Sequence, residues 1–283
     1  MSKEPTLRRL LDRKGLLVAP GVYDALTAKV AQYTGFQVLY MTGYGTSAAY
    51  GYPDIGLLTM TEMLENLRRV CAAVDIPVIA DADTGYGSFI NVYRTVREYE
   101  KAGAAAIQLE DQAWPKRNAG MEGRKVIPAR EMVEKIKAAV DARVSAETVL
   151  VIRTDAIATH GFEEALERGK TYADSGADVL FIEAPATEEE VRRIPRSFSK
   201  PCLLNKAHSA HGLSLKTLEE MGYAIVIFPS ATLLGAIEGS FRMCKSLLEE
   251  GKQMPVTDLP GGAGGLNQFL GLERYRELEK KFS

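Results

Sequence analysis

The sequence predicts a single (β/α)8 barrel, and three observations predict it. Eight short apolar, β-branched runs recur along the 283 residues, helical patterns alternate with them, and no composition break interrupts the series. The runs are LLVAP (16–20), VLYMTG (38–43), PVIADAD (77–83), AIQLED (106–111), VLVIRTD (149–155), VLFIEAP (179–185), CLLNK (202–206) and IVIFPS (225–230). Their hydrophobicity is continuous, as expected of parallel strands covered on both faces.

Between the runs lie amphipathic stretches such as VYDALTAKVAQYTG, SFINVYRTVREYEKAG and EEALERGKTYADSG. Gly35, Gly103, Gly176 and Gly222 each close such a stretch two or three residues before a strand. Glycine suits the left-handed position just past a helix C-terminus, where the chain turns back toward the sheet. Two segments break the alternation. Residues 111–128, DQAWPKRNAGMEGRKVIP, are too long for an ordinary βα turn and read as a lid over the catalytic face. Residues 255–265, PVTDLPGGAGG, read as a linker before one amphipathic helix, LNQFLGLERYRELEKKF. The expected organisation is a catalytic barrel over 1–254 and a linker with an oligomerisation helix over 255–283.

Composition excludes several functions. A net charge of -2 offers no general attraction to nucleic acid or an anionic membrane, so any anion must be caught by a local site. No apolar run is long enough to span a bilayer, and MSKEPTLRRLLDRKG lacks a signal-peptide core. Cys71, Cys202 and Cys244 form no metal-type pattern and read as small hydrophobes in a reducing cytoplasm.

The chemistry is written at the strand ends: Tyr40 and Thr42, Asp81 and Asp83, Glu110 and Asp111, Arg153 and Asp155, Glu183, Asn205, and Ser230. Barrel enzymes place their catalytic groups on this rim, and a buried charge there needs compensation. Asp81, Asp83 and Glu110 point to a hard divalent cation, Mg2+ with Mn2+ as a substitute. A salt-bridge cluster with Arg153 is the alternative. The planar fork of Arg153 suits a substrate carboxylate or a developing oxyanion. TGYGTSA (42–48) offers backbone N–H groups and a Thr hydroxyl as a cradle for that carboxylate. His160, His208 and His211 are the only histidines; HSAH spaces the last two by three residues but, with no third ligand nearby, reads as a loop.

In combination and order, PGVYDALTAKV, DADTGYG, IQLEDQ with PKR, IRTDA, IEAP and a late LLN resemble the isocitrate lyase/phosphoenolpyruvate mutase superfamily over roughly residues 15–280. That resemblance implies a barrel, Mg2+, a small carboxylate substrate and a homotetramer, a dimer of dimers exchanging a C-terminal helix. It implies Asp81, Asp83 and Glu110 as the metal shell, some acting through water. It also implies Tyr40, Thr42 and Gly43 in the substrate cradle, Asp54 of GYPDIG as the family's active-site Asp on the substrate side, and Arg153, Glu183 and Asn205 as substrate and enolate contacts.

The departures concern the lid. The lyase branch carries KKCGH or KRCGH, whose Cys protonates the departing enolate; here Lys116, Arg117, Asn118, Ala119 and Gly120 stand. Asn118 resembles the KTN lid of the phosphonate branch, whereas Glu183 is lyase-like where that branch has His. The lyase N-x-T-E-F-G is replaced by Asn205, Lys206, Ala207, His208, Ser209 and Ala210. The reading expected first is Mg2+-dependent C–C cleavage of a small 2-oxo- or 2-hydroxycarboxylate through an enolate, as in a methylisocitrate-like lyase or an oxaloacetate decarboxylase. Phosphonopyruvate P–C chemistry is the alternative, and a non-catalytic metabolite-binding barrel a third.

Overall fold

The computed structural model describes residues 6–118, 121–206, 212–255 and 265–283. Eight parallel strands close into one barrel in sequence order: β1 (Leu17–Val22), β2 (Leu39–Met41), β3 (Val78–Asp81), β4 (Ala106–Glu110), β5 (Val149–Thr154), β6 (Val179–Ile182), β7 (Cys202–Asn205) and β8 (Ile225–Phe228). Each falls on an expected run, and β8 returns to β1 through Leu17↔Ile225.

Side-chain parity divides the apolar residues into two layers, because alternate residues of a strand face opposite sides. Leu39, Met41, Val78, Ala80, Ile107, Leu109, Leu150, Ile152, Leu180 and Ile182 pack outward among helix residues such as Val92, Val96, Ile136 and Leu166. Leu17, Ala19, Val38, Ile79, Ala106, Val149, Val151, Val179, Phe181, Leu203 and Ile225 form the interior, joined by Leu7 and Leu10 of the helix Leu7–Leu11. On β3 to β7 the interior parity runs on to Asp81, Gln108 and Glu110, Arg153, Glu183 and Asn205. The strands thus carry apolar residues low in the barrel and polar ones at its C-terminal mouth.

Gly35, Gly103, Gly176 and Gly222 all have positive φ, between 98° and 119°, as the helix-end reading expects. Contacts divide the chain into compact units Met1–Leu233 and Leu234–Ser283. In the second unit the expected single terminal helix is two, Gly265–Phe269 and Leu272–Phe282. Gly271, at φ 86°, takes a left-handed conformation that ends the first turn and starts the next helix. Most of the expected linker, residues 256–264, lies outside the described residues, as do Ala119, Gly120 and the segment 207–211 with His208 and His211. No helix among the described residues is long and apolar enough to cross a membrane.

Candidate active site

The mouth of the barrel gathers the rim residues into one buried polar cluster. Asp81 ends β3 and is held on all sides. It accepts from the Gly43 N–H at 3.1 Å, the Asp83 N–H at 3.0 Å, the Gln108 amide at 3.2 Å and the Tyr40 hydroxyl at 3.2 Å. Gly43 is required there: a Cβ would lie 2.7 Å from Asp81 Oδ2. The expected TGYGTSA cradle is therefore already engaged. Residues Gly43–Ala49 form a short helix whose N-cap is the Thr42 hydroxyl, and the Gly43 N–H is on Asp81. Tyr40 also donates to Gln108 Oε1 at 3.0 Å. Burial, with the Asp81 charge beside it, holds the Tyr40 phenol well above its ordinary range.

Asp83 follows in a left-handed conformation, φ 48°, and Ala184 just after Glu183 has φ 58°. Such positions cost on the order of 1–3 kcal/mol for residues other than glycine and collect where a side chain must be aimed. The Asp83 carboxylate meets Lys116 Nζ at 2.8 Å, and the same ammonium is ion-paired with Asp54. Burial pushes the Asp83 carboxyl up to about 6.

Lys116 belongs to the long loop after β4. Its stem is closed by a Gln112↔Val126 bridge and by Ala113 N donating to the Lys125 carbonyl at 2.8 Å. The loop reaches the site at two places. At one edge Lys116 enters the acids, while Asn118 donates from its amide to Asp54 Oδ2 and from its backbone to the Asp54 carbonyl, both at 3.2 Å. At the other edge Arg124 Nη1 meets Asp155 Oδ1 at 2.9 Å. Of the loop's four basic residues, Lys116, Arg117, Arg124 and Lys125, the first is buried and only the last is well exposed.

Arg153 is at the site but does not present an open fork. Nε and Nη2 both donate to Asp155, each at 2.8 Å, leaving Nη1 3.5 Å from Glu110 Oε2. Its guanidinium lies 5.2 Å over the Phe181 ring, and Glu183 Oε2 is 3.8 Å from Nε. Asn205 donates to Glu183 Oε1 at 3.5 Å. Burial drives the carboxyls of Glu110 and Glu183 upward, whereas Arg153 and Arg124 hold Asp155 low against its burial.

Asp111 is adjacent to Glu110 in sequence but has the opposite parity. It faces the helix layer, accepting from Arg168 at 3.1 Å, Tyr172 at 2.9 Å, Thr154 at 2.7 Å and the Asp155 N–H at 2.9 Å. His160 is exposed, in the helical turn Ile157–His160. Sequence reasoning missed Gln108, Arg124 and the roles of Lys116 and Asp155. Gln108 had a readable signal, a polar residue in mid-strand at the parity of Glu110; the ion pairs of Arg124 and Lys116 bridge distant segments and had none.

Among the described residues no three His, Cys, Asp or Glu side chains converge closely enough to hold a metal ion directly. The donor chemistry nevertheless suits a hard cation. Among the described residues six buried carboxylates, Asp54, Asp81, Asp83, Glu110, Asp155 and Glu183, face only Lys116, Arg124 and Arg153. Glu110 Oε1 and Glu183 Oε2 are buried with no hydrogen-bond partner among the described residues. An ion held partly through water would offset that charge without requiring the carboxylates to touch it.

The chain is similar to known proteins over nearly its whole length. The family model described as phosphoenolpyruvate phosphomutase matches residues 7–248. A 2,3-dimethylmalate lyase of Eubacterium barkeri is 46% identical, covering 100% of this chain and 99% of that protein. The solved structure of oxaloacetate acetylhydrolase with the inhibitor 3,3-difluorooxalacetate superposes with a TM-score of 0.92 at 35% identity, over 99% of this chain and 97% of that one. The crystal structure of a 2,3-dimethylmalate lyase, a member of the PEP mutase/isocitrate lyase superfamily, superposes with a TM-score of 0.90 at 36% identity, over 98% and 93% of the two chains. The chain belongs to the phosphoenolpyruvate mutase/isocitrate lyase superfamily and is an enzyme of its lyase kind.

Proposed function

We propose that the protein cleaves the C2–C3 bond of a small malate-type 2-hydroxydicarboxylate, 2,3-dimethylmalate or a close analogue, with Mg2+ or Mn2+ as cofactor. The observation that carries this reading is the buried surplus of carboxylates at a mouth that also holds Arg153, a site for a cation and an anion together. The named lyase relative supports the bond that breaks. In the reaction the 2-hydroxyl loses its proton and becomes the carbonyl of a 2-oxo acid. The bonding pair passes to C3 as an enolate of the second carboxylate, and C3 then takes a proton.

Asp81, Asp83 and Glu110 would hold the ion, which supplies positive charge at oxygens where negative charge develops. Gly43, Tyr40 and Gln108 fix Asp81, and the cap of Thr42 fixes the turn carrying Gly43. Arg153, through Nη1, and Asn205 would face substrate oxygens, with Glu183 beside them. The loop 111–128 acts as the lid, excluding water through Lys116 and Asn118 on Asp54. Asn118 stands where an acid would be expected, and its amide cannot protonate the enolate.

The test is turnover of 2,3-dimethylmalate, 2-methylisocitrate, oxaloacetate and phosphonopyruvate with Mg2+, repeated after EDTA. Cleavage of a 2-hydroxydicarboxylate to a 2-oxo acid, lost in EDTA and restored by metal, is expected. Turnover confined to phosphonopyruvate would replace this reading with P–C chemistry, and none on any acid would leave a metabolite-binding barrel.

We also propose a homotetramer, a dimer of dimers, working in the cytoplasm. Leu234, Ile237, Phe241 and Leu248 are exposed on the helix Ala231–Glu250, and Leu272, Tyr275, Leu278 and Phe282 on the helix Leu272–Phe282. Apolar stripes at helical spacing favour burial against another surface. Light scattering that returns a monomer mass would refute the assembly. The three cysteines are free thiols, in keeping with a reducing compartment.

A further inference from the structure

Asp155 links two parts of the molecule that the proposed chemistry treats separately. On the barrel side it takes two of the donor nitrogens of Arg153, both at 2.8 Å. On the loop side its Oδ1, already shared with Arg153 Nη2, also receives Arg124 Nη1 at 2.9 Å. Among the described residues Asp155 is the carboxylate that Arg124 pairs with directly, and its Nε is buried without a hydrogen-bond partner there. Asp155 itself is fully buried, and its N–H is fixed by Asp111 Oδ1 at 2.9 Å. Asp111 is in turn held by Arg168 Nη1, which also donates at 2.8 Å to the carbonyl of Ile127, at the far root of the loop.

One carboxylate therefore divides its negative charge between a cation at the mouth and a cation on the loop. Two guanidinium groups bound to one carboxylate leave a net positive charge, whereas one guanidinium with the same carboxylate is neutral. In a buried site this difference is weakly screened. The hold of Arg153 on an incoming anion therefore depends on whether Arg124 is seated.

We propose that Asp155 is a positioning residue that aims Arg153, and that docking of Arg124 on Asp155 strengthens the grip of Arg153 on a substrate carboxylate. The loop thereby adds to substrate affinity from a residue that need not touch the substrate. This rests on the reading of Arg153 as a carboxylate contact.

The test is oxalate binding to the full-length protein with Mg2+, followed by calorimetry and by fluorescence of Trp114, the sole tryptophan, which lies in the loop. Arg124→Met should weaken oxalate binding about 2- to 30-fold, the range for residues coupled through a network. Arg124→Lys should recover part of it, and Arg117→Met, the same charge loss elsewhere in the loop, should change nothing. Asp155→Asn should weaken binding as well, and adding Arg124→Met to it should cost less than a further twofold. Arg124→Met keeps the test open if Asp155→Asn fails to fold. Oxalate binding in the wild type with an unchanged affinity in Arg124→Met, or with additive losses in the double variant, would overturn the coupling and leave the site intact. A wild type that binds no oxalate would overturn the carboxylate reading of Arg153 and the coupling with it.

Discussion

The lower and upper halves of the barrel interior are built on the same strands and the same side-chain parity, yet they are opposite in chemistry. Low in the barrel, Val149, Val151, Val179, Leu203 and Ile225 fill the interior with groups that make no demand on their neighbours. Two to four residues further along, Glu110, Arg153, Glu183 and Asn205 occupy the same face, buried almost as deeply. An unpaired charge moved into such surroundings costs several kcal/mol. The lower half is therefore stability alone. The upper half keeps charges that folding does not need, including oxygens of Glu110 and Glu183 with no hydrogen-bond partner among the described residues, and the proposed cation site would give them a use.

A pair of substitutions at one depth of contrast tests this directly. Val151→Asp places a carboxylate low in the interior with no cation to meet it. Loss of several kcal/mol is expected, enough to unfold a marginally stable domain, read as loss of the cooperative thermal transition. Glu110→Gln should do the reverse. It removes a buried charge whose Oε1 has no hydrogen-bond partner among the described residues, so the melting temperature should hold or rise. Mn2+ binding, by contrast, should fall by more than the roughly 10- to 100-fold seen when an outer-shell group is removed. If both variants melt alike, the two halves do not differ as argued.

This contrast was largely legible in the sequence, because it lies in local pattern. Continuous apolar runs ending in Asp, Glu, Arg or Asn gave both the strands and the rim, and Gly35, Gly103, Gly176 and Gly222 marked the helix ends. Parity also separates Asp111 from Glu110, since neighbours in a strand face opposite layers. What stayed hidden was the set of partners. Arg153 reads as an open fork until the fold brings Asp155 onto two of its donors. Lys116 reads as one more residue of the lid until the loop seats it between Asp54 and Asp83, from segments far away in the chain. Apolar periodicity is a property of one segment; an ion pair is a property of two, and their meeting is decided by tertiary packing.

A further expected effect is at Asn118, where the loop over the mouth departs from the lyase pattern. Asn118 is tied twice to Asp54, once by its amide and once by its backbone. The backbone tie survives any side chain, so Asn118→Cys should leave the loop on Asp54 while exchanging a hydrogen-bonding amide for a thiol that can give up a proton. If protonation of the enolate limits the wild type, the variant should cleave methylisocitrate-like or dimethylmalate-like acids faster. The gain should fall at the low end of the roughly 10²–10⁴-fold that a well-placed acid provides, because the surrounding residues are not arranged around a thiol. If instead the amide steadies an anion through its two N–H donors, the same change lowers turnover, since a thiol offers only one weak donor. Single-turnover rates on the substrate the wild type prefers separate the two outcomes. A slower variant would mean that Asn118 is part of the working site rather than the mark of a lost acid.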